Sequence, residues 1–316
     1  MKGLAVAVAA IAVVFGAPAA QGATELPAHV YAPYFETWTT DSLTATAEAS
    51  GTPYYTLAFL ETLSKTSCTL AWNGRRSDRV TNGRYLPDLA SLRALGGDVI
   101  VSFGGWSADQ RGREIADSCK NVNAIAAAYE DVISRYDVTR LDMDLEGRSL
   151  RRTAGIDRRN KALELVEKWA AQQRRPFEVS YTLPTSPSGL RRPALAVLQN
   201  AIDNGTRVDV VNIMAFDYYD GVTTDMGAAA INAADGLLAQ LGALYPGKSM
   251  TQLGAMVGIT LMPGVDDTPR KTEKTTVADA QQVLDYATAN GFNTVSIWSI
   301  QRDNEFSRVL QPFTGN

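Results

Sequence analysis

Residues 141–146 read Leu-Asp-Met-Asp-Leu-Glu, with a carboxylate at every second position: Asp142, Asp144 and Glu146. Side chains alternate along a strand, so the three acids share one face, and Leu141, Met143 and Leu145 share the other. On a solvated edge strand such a face would do no chemistry. As three oxygen ligands it could hold a hard cation such as Mg²⁺ or Ca²⁺. Acid catalysis is the third reading and the favoured one. Inside an alternation of strands and helices the apolar face must pack against helices, which turns the acids into the interior. Charges there cost several kcal/mol each and repel one another at ~7 Å spacing along the strand. At least one acid then keeps its proton near neutrality, and the titrations are coupled. A protonated, partly buried carboxyl beside ionised ones can hand its proton to a glycosidic oxygen.

The rest of the chain supplies the elements that would position this strand. Apolar runs rich in β-branched and aromatic residues occur at 30–35, 54–59, 98–103, 140–145, 177–183, 208–216, 256–261 and 294–300, predicting eight strands. Helical patterns lie between them at 122–136, 154–173, 192–204, 226–244 and 276–290, with weaker ones in the earlier connections. The last begins clearly, with Thr276 three residues ahead of Asp279, and stops at Gly291 after Asn290. Strands alternating with helices pair in parallel through right-handed crossovers. Eight such units in roughly 290 residues predict an α/β fold, a single closed (β/α)8 TIM barrel rather than an open doubly wound sheet.

Composition narrows the chemistry. The 316 residues are 45% hydrophobic and 20% charged, which is globular rather than disordered or fibrous. A net charge of −4 offers no basic face to a phosphate backbone, so no nucleic-acid partner is expected. One histidine and two cysteines rule out a metal site built from several soft ligands. Catalysis must lean on carboxylates, hydroxyls and aromatics, and no metal or organic cofactor is expected. Lys2, the apolar run 4–15 and the small residues of 16–23 have the layout of a secretory signal peptide over 1–23. That run is too short to span a bilayer and no second one follows, so a secreted, extracellular protein without membrane contact is expected. An oxidising destination predicts a disulfide between Cys68 and Cys119. No linker or composition break divides 24–316, which are expected to form one catalytic domain acting as a monomer.

In such a barrel the site sits where the strands end. The residues there include Glu36, Thr37 and Trp38 after the first strand, Glu61 and Trp72 after the second, and Gly104, Gly105 and Trp106 after the third. Further on come Pro184 and Thr185, then Asp217, Tyr218 and Tyr219, and finally Trp298 to Arg302. Four of the five tryptophans fall in this set, and Trp169, inside a helical pattern, is expected to pack in the core. A sugar's C–H face packs on an indole, so Trp298 is expected beneath the scissile sugar and Trp38, Trp72 or Trp106 along a groove. Tyr181 and Asp303 are further contact candidates. Gly104-Gly105 would permit close backbone approach at a strand end.

The acidic strand resembles the D-x-D-x-E motif of glycoside hydrolase family 18, the chitinases and related endo-β-N-acetylglucosaminidases. Ser102-Phe103-Gly104-Gly105 is similar to that family's S-x-G-G, Met214-Ala215-Phe216-Asp217 to its M-x-Y-D, and Ile297-Trp298-Ser299 to its eighth-strand tryptophan. The run DMDLEG, ending at Gly147, looks like the DFDIEG of bacterial and archaeal chitinases. The resemblance implies that Glu146 is general acid and base and that Asp144 orients and polarises the substrate's N-acetyl group. The acetamido oxygen would be the nucleophile, giving an oxazolinium-like intermediate and retention, with Asp142 sharing charge and a proton with Asp144. Three acids on one strand approach a sugar from one side, unlike the opposed pair of an ordinary retaining enzyme. Two positions depart from the family pattern. Thr139-Arg140 stand where Asp-Gly is frequent, and Phe216 stands where a tyrosine hydroxyl often contacts the acetamido group. Asp217, Tyr218 or Tyr219 would supply that bond, with Tyr218 preferred. The expected function is a retaining, endo-acting chitinase working on chitin or another N-acetylglucosamine polymer. The alternatives are an endo-β-N-acetylglucosaminidase on N-glycans and a catalytically inactive chitin-binding lectin on the same barrel.

Overall fold

The computed structural model describes residues 25–268, 272–303 and 305–315; the expected signal peptide at 1–23 lies outside the described residues. The strands are β1 (Val30–Tyr31), β2 (Tyr34–Glu36), β3 (Tyr54–Thr62), β4 (Leu70–Trp72), β5 (Asp98–Gly104), β6 (Arg140–Asp144), β7 (Glu178–Ser186), β8 (Gly189–Leu190), β9 (Val210–Met214), β10 (Val257–Leu261), β11 (Gly264–Val265), β12 (Lys274–Thr275) and β13 (Thr294–Ile297). Their main sheet runs β1-β13-β10-β9-β7-β6-β5-β3-β2. β1 and β2 are two halves of one stave: β1 pairs in parallel with β13 and β2 with β3, so the sheet closes on itself. Pro33, lacking an N–H, sits at the break between the halves. Its carbonyl still accepts the Thr56 N–H at 2.9 Å. Counting β1 and β2 as one, the described residues form the eight staves of a (β/α)8 barrel, as the alternation predicts.

Two layers follow from strand parity. The outward residues of β6, Leu141 and Met143, and Leu145 beyond its end are fully buried in the main hydrophobic cluster. The helix Val122–Tyr136 meets that cluster with Ile125, Tyr129, Val132, Ile133 and Tyr136, a stripe at helical spacing. Each such buried side chain contributes roughly 1.5–3 kcal/mol. The inward residues are polar instead: Thr56, Ser102, Asp142, Ser180, Thr182, Asn212, Thr260 and Ser296 are all buried. Pairing puts Ser102 beside Asp142, Asp142 beside Ser180, and Thr182 beside Asn212. The barrel thus carries its own hydrogen-bonding lining around the acidic strand.

Arg140, two residues before Asp142 on the same face, is buried at the amino end of the barrel. It donates to Glu178 Oε2 and Asn293 Oδ1, each at 2.9 Å. This is what the chain has where the family pattern has Asp-Gly: a cation tied across three strand ends. Four short strands escaped the sequence pattern because two or three residues show no period. β4 pairs antiparallel with β3, β8 with β7, and β11 with β12. The apolar run at 208–216 forms only β9, and its last residues turn out into the groove. Cys68 and Cys119 form the expected disulfide, Cα atoms 4.8 Å apart, and Trp169 packs partly buried against the core.

Candidate active site

Asp142 accepts four hydroxyls. Ser102 Oγ and Tyr34 Oη donate to its Oδ2 at 2.6 and 3.1 Å, and Ser180 Oγ and Thr182 Oγ1 donate to its Oδ1 at 2.7 Å each. Burial raises its pKa while these four bonds pull it back down. With hydroxyl donors on both oxygens, Asp142 is held inside the barrel lining. No hydrogen bond joins it to Asp144 among the described contacts. Asp142 acts on its neighbour through charge, where the resemblance led us to expect a shared proton.

Asp144, one pleat further up, is buried, and its Oδ1 has no hydrogen-bond partner. Burial first, then the charges of Glu146 and Asp142, push its pKa well above the usual carboxylate range. An orphaned buried acceptor is costly, and the residue that carries it lines the groove at the barrel mouth. Gly104 opens the space beside it. With φ at +105°, any Cβ there would stand 2.1 Å from the Asp144 carbonyl oxygen.

Glu146, just beyond β6, is half-buried at the barrel mouth. Its pKa is raised to about 7, by burial first and then by the charges of Asp109 and Asp217, against the pull of a hydrogen bond from the Trp106 backbone. Near neutrality the Asp144 and Glu146 pair therefore holds a proton between them. A groove of about 910 Å³ opens over the pair. Its aromatic floor is Trp298 stacked on Phe59, centroids 5.4 Å apart and planes 16° apart, with Trp38 stacked on the same Phe59 at 6.2 Å. Trp106 stands at the groove 61% exposed.

The loop after β9 supplies the facing wall. Asp217 and Tyr219 both have positive φ, +50° and +57°, an uncommon conformation for residues other than glycine. Two acids hold it there: the Asp217 N–H donates to Asp266 Oδ2 at 2.8 Å and the Tyr218 N–H to Glu273 Oε2 at 2.9 Å. The carboxylate oxygens of Asp217, Asp266 and Glu273 lie within 4.8 Å of one another. Asp266 and Glu273 each also accept a backbone N–H. Burial raises Asp266 to about 8, and the charges of Asp217 and Glu273 and a hydrogen bond with Glu273 add to the rise, so Asp266 keeps a proton near neutrality and the cluster carries one negative charge fewer. Burial, helped by Asp267 and Glu273, raises Asp217 to about 6.

The structure brings Asp142, Asp144, Glu146, Asp217, Tyr218, Trp38, Trp106 and Trp298 toward one end of the barrel, and three expected contacts, Tyr181, Trp72 and Asp303, go elsewhere. Tyr181 pairs with Met143 across β6 and β7 and points outward, its hydroxyl donating to Asn160 Oδ1 at 2.9 Å. The alternation that turns Ser180 and Thr182 inward requires this. Trp72 lies in the core, its Nε1 donating to Tyr136 Oη at 2.9 Å. Tyr218 lines the groove from below, buried against Met226 and Ala229, with no partner for its hydroxyl. Tyr219, the third candidate for that bond, is 64% exposed along the groove, and the charges of Asp217 and Glu146 act on its hydroxyl. Of the two tyrosines beside Phe216, Tyr219 is the exposed one and Tyr218 the buried one. Asp303 instead caps a helix, accepting the Ser307 N–H at 3.1 Å. Sequence reasoning missed Tyr34, Phe59 and Asp109. Parity within 30–35 points to Tyr34, whereas nothing local in the sequence marks Asp109.

A closed parallel barrel with a coupled pair of buried acids at its carboxyl end, over an aromatic groove, is the form of a sugar-cleaving barrel protein. The model for glycosyl hydrolases family 18 matches residues 30–276, and the chain belongs to that family. It is 33% identical over 297 residues to the probable bifunctional chitinase/lysozyme of Escherichia coli (strain K12), covering 90% of this chain and 32% of that protein. It is 34% identical over 289 residues to endochitinase 11 of Metarhizium anisopliae, covering 88% of this chain and 53% of that one. The chain therefore spans about a third and about half of those relatives. The catalytic domain of the hyperthermophilic chitinase from Pyrococcus furiosus superposes with a TM-score of 0.80 at 30% identity, over 92% of this chain and 97% of that one. A mutant of that domain has been solved with chito-oligosaccharides.

Proposed function

We propose that this protein is a secreted, retaining chitinase that cleaves β-1,4 links between N-acetylglucosamine units with the substrate's own acetamido oxygen as nucleophile. The carrying observation is the Asp144 and Glu146 pair. Glu146 directly follows the strand that carries Asp144, burial raises the pKa of both, and Asp144 Oδ1 is buried without a partner. In this reading Glu146 gives its proton to the departing glycosidic oxygen. Asp144 then accepts the acetamide N–H, which turns the carbonyl oxygen toward the anomeric carbon and stabilises the positive charge that develops. Among the other carboxylates at the groove, Asp217 comes from the loop after β9, two staves away from β6, and with Tyr219 it would hold the acetamido group from the far side. Trp298 would carry the sugar, and Trp38 and Trp106 the neighbouring units. Support for chitin-type substrates comes from the similarity to the proteins above. Support for export comes from the basic, apolar and small-residue pattern of 1–23 and from the disulfide.

The test uses protein beginning at residue 24, incubated with colloidal chitin and, separately, with an N-glycan bearing an intact chitobiose core. Release of soluble oligosaccharides, first seen as the β-anomer, is expected from chitin alone. Cleavage of the core without release from chitin would transfer the reading to N-glycan trimming, and binding without release would transfer it to a lectin.

The coupled pair also sets a pH dependence. Glu146 must be protonated to act, and its raised pKa of about 7 puts the loss of kcat/KM on the alkaline side near that pH. Below it, a second proton on the pair silences Asp144, so the rate passes through a maximum in mildly acid conditions. A rate that stays flat from acid to strongly basic pH would contradict the assignment.

A further inference from the structure

We propose that Asp109, outside the acidic strand, is a positioning residue for Glu146: its buried carboxylate seats the chain that follows the acid and sets a negative charge beside it. The proposal rests on the reading of Glu146 as the general acid. Asp109 lies on the helix Gly105–Arg111 and is 2% exposed. Its Oδ1 accepts the N–H groups of Arg148 and Ser149 at 2.7 and 2.8 Å. The Ser149 hydroxyl is 3.2 Å from that oxygen but 2.8 Å from Asp117 Oδ2, and with one hydrogen it donates to the nearer acid. Gly147 rests directly on the other oxygen. A Cβ there would stand 2.4 Å from Asp109 Oδ2, at a φ of +45°. Every residue from 147 to 149 therefore leans on one carboxylate, while Trp106 of the same short helix donates its backbone N–H to Glu146.

The groups acting on Glu146 are the carboxylates of Asp109 from this helix, Asp144 from its own strand and Asp217 from the loop after β9, with the Tyr219 hydroxyl nearby. Asp109 has Gln110 Nε2 at 3.2 Å, and beyond Ser149 lies Asp117, paired with Arg152 at 2.9 Å. Removing the charge of Asp109 while keeping its acceptor should ease proton loss from Glu146 without unseating the loop.

Asp109→Asn does this, since the amide oxygen still accepts both N–H groups. The alkaline limb of kcat/KM is expected to move acidward by about one pH unit, with KM within about twofold. Asp109→Glu, which restores the charge, should return the limb toward its original position. Asp109→Ala, which loses the acceptor as well, should lower kcat by a further factor of about ten. If Asp109→Asn does not fold, Gly147→Ala, whose methyl displaces the carboxylate, should move the limb the same way. A limb that stays in place in the folded variant overturns the proposal. Glu146→Gln run alongside separates the two claims: if it is inactive while the limb of Asp109→Asn is unmoved, only the Asp109 proposal fails, and if it keeps its rate, both fail.

Discussion

Glu146→Gln is expected to lower oligosaccharide release from colloidal chitin by at least ~10³-fold, while binding of a chito-oligosaccharide stays within a few-fold. The amide is nearly isosteric and still accepts the Trp106 N–H, but it has no proton to give. A factor of 10³ corresponds to about 4 kcal/mol of transition-state stabilisation, within the range of a positioned general acid. Binding survives because the groove's area lies in Trp298, Phe59, Trp38 and Trp106, none of which the substitution touches. Parallel measurements of binding by calorimetry and of product release decide the matter. Release at the wild-type rate would remove Glu146 from the chemistry.

Asp144→Asn is expected to slow the chemical step by at least ~10², about 2.7 kcal/mol, because it removes the charge that faces the developing oxazolinium. It should also raise the melting temperature at pH 8. The sign follows from linkage. The folded-state pKa of Asp144 is raised, so keeping it ionised costs the fold stability that it does not cost the unfolded chain, and the cost grows as pH rises above the unfolded value. The neutral amide escapes that cost. Activity and stability should therefore move in opposite directions, with the stability gain shrinking as pH falls toward 4. A variant that is both less stable at pH 8 and fully active would refute both arguments.

Much of this site was legible in the sequence. Period-two alternation at 141–146 was enough to send the three acids inward, because the apolar trio had only the helical ring to bury against. The same rule, applied along 178–183, turns Tyr181 outward, and its assignment to the groove went against parity. Trp72 followed a strand end correctly, but β4 folds back antiparallel on β3 and carries the ring into the core. Such short returns leave no periodic trace. Where Tyr218 and Tyr219 point depends on a loop whose Asp217 and Tyr218 N–H groups are held by Asp266 and Glu273, some fifty residues further along the chain. Asp109 illustrates the same limit: its significance lies in the two backbone N–H groups it meets 39 and 40 residues away. Local pattern reports which face a side chain takes, and only the closed barrel reports what it meets there.

The most direct test of the central claim, that the sugar supplies the nucleophile, is to compare two N-acetylglucosamine tetramers with this protein. One is intact, and the other lacks the acetyl group on the sugar whose glycosidic bond is cut. The account predicts that the intact tetramer is cleaved and that the deacetylated one is bound but left whole at that bond. Cleavage of both at similar rates would show that the protein carries the nucleophile itself, and the one-sided arrangement of acids on β6 would then need another explanation.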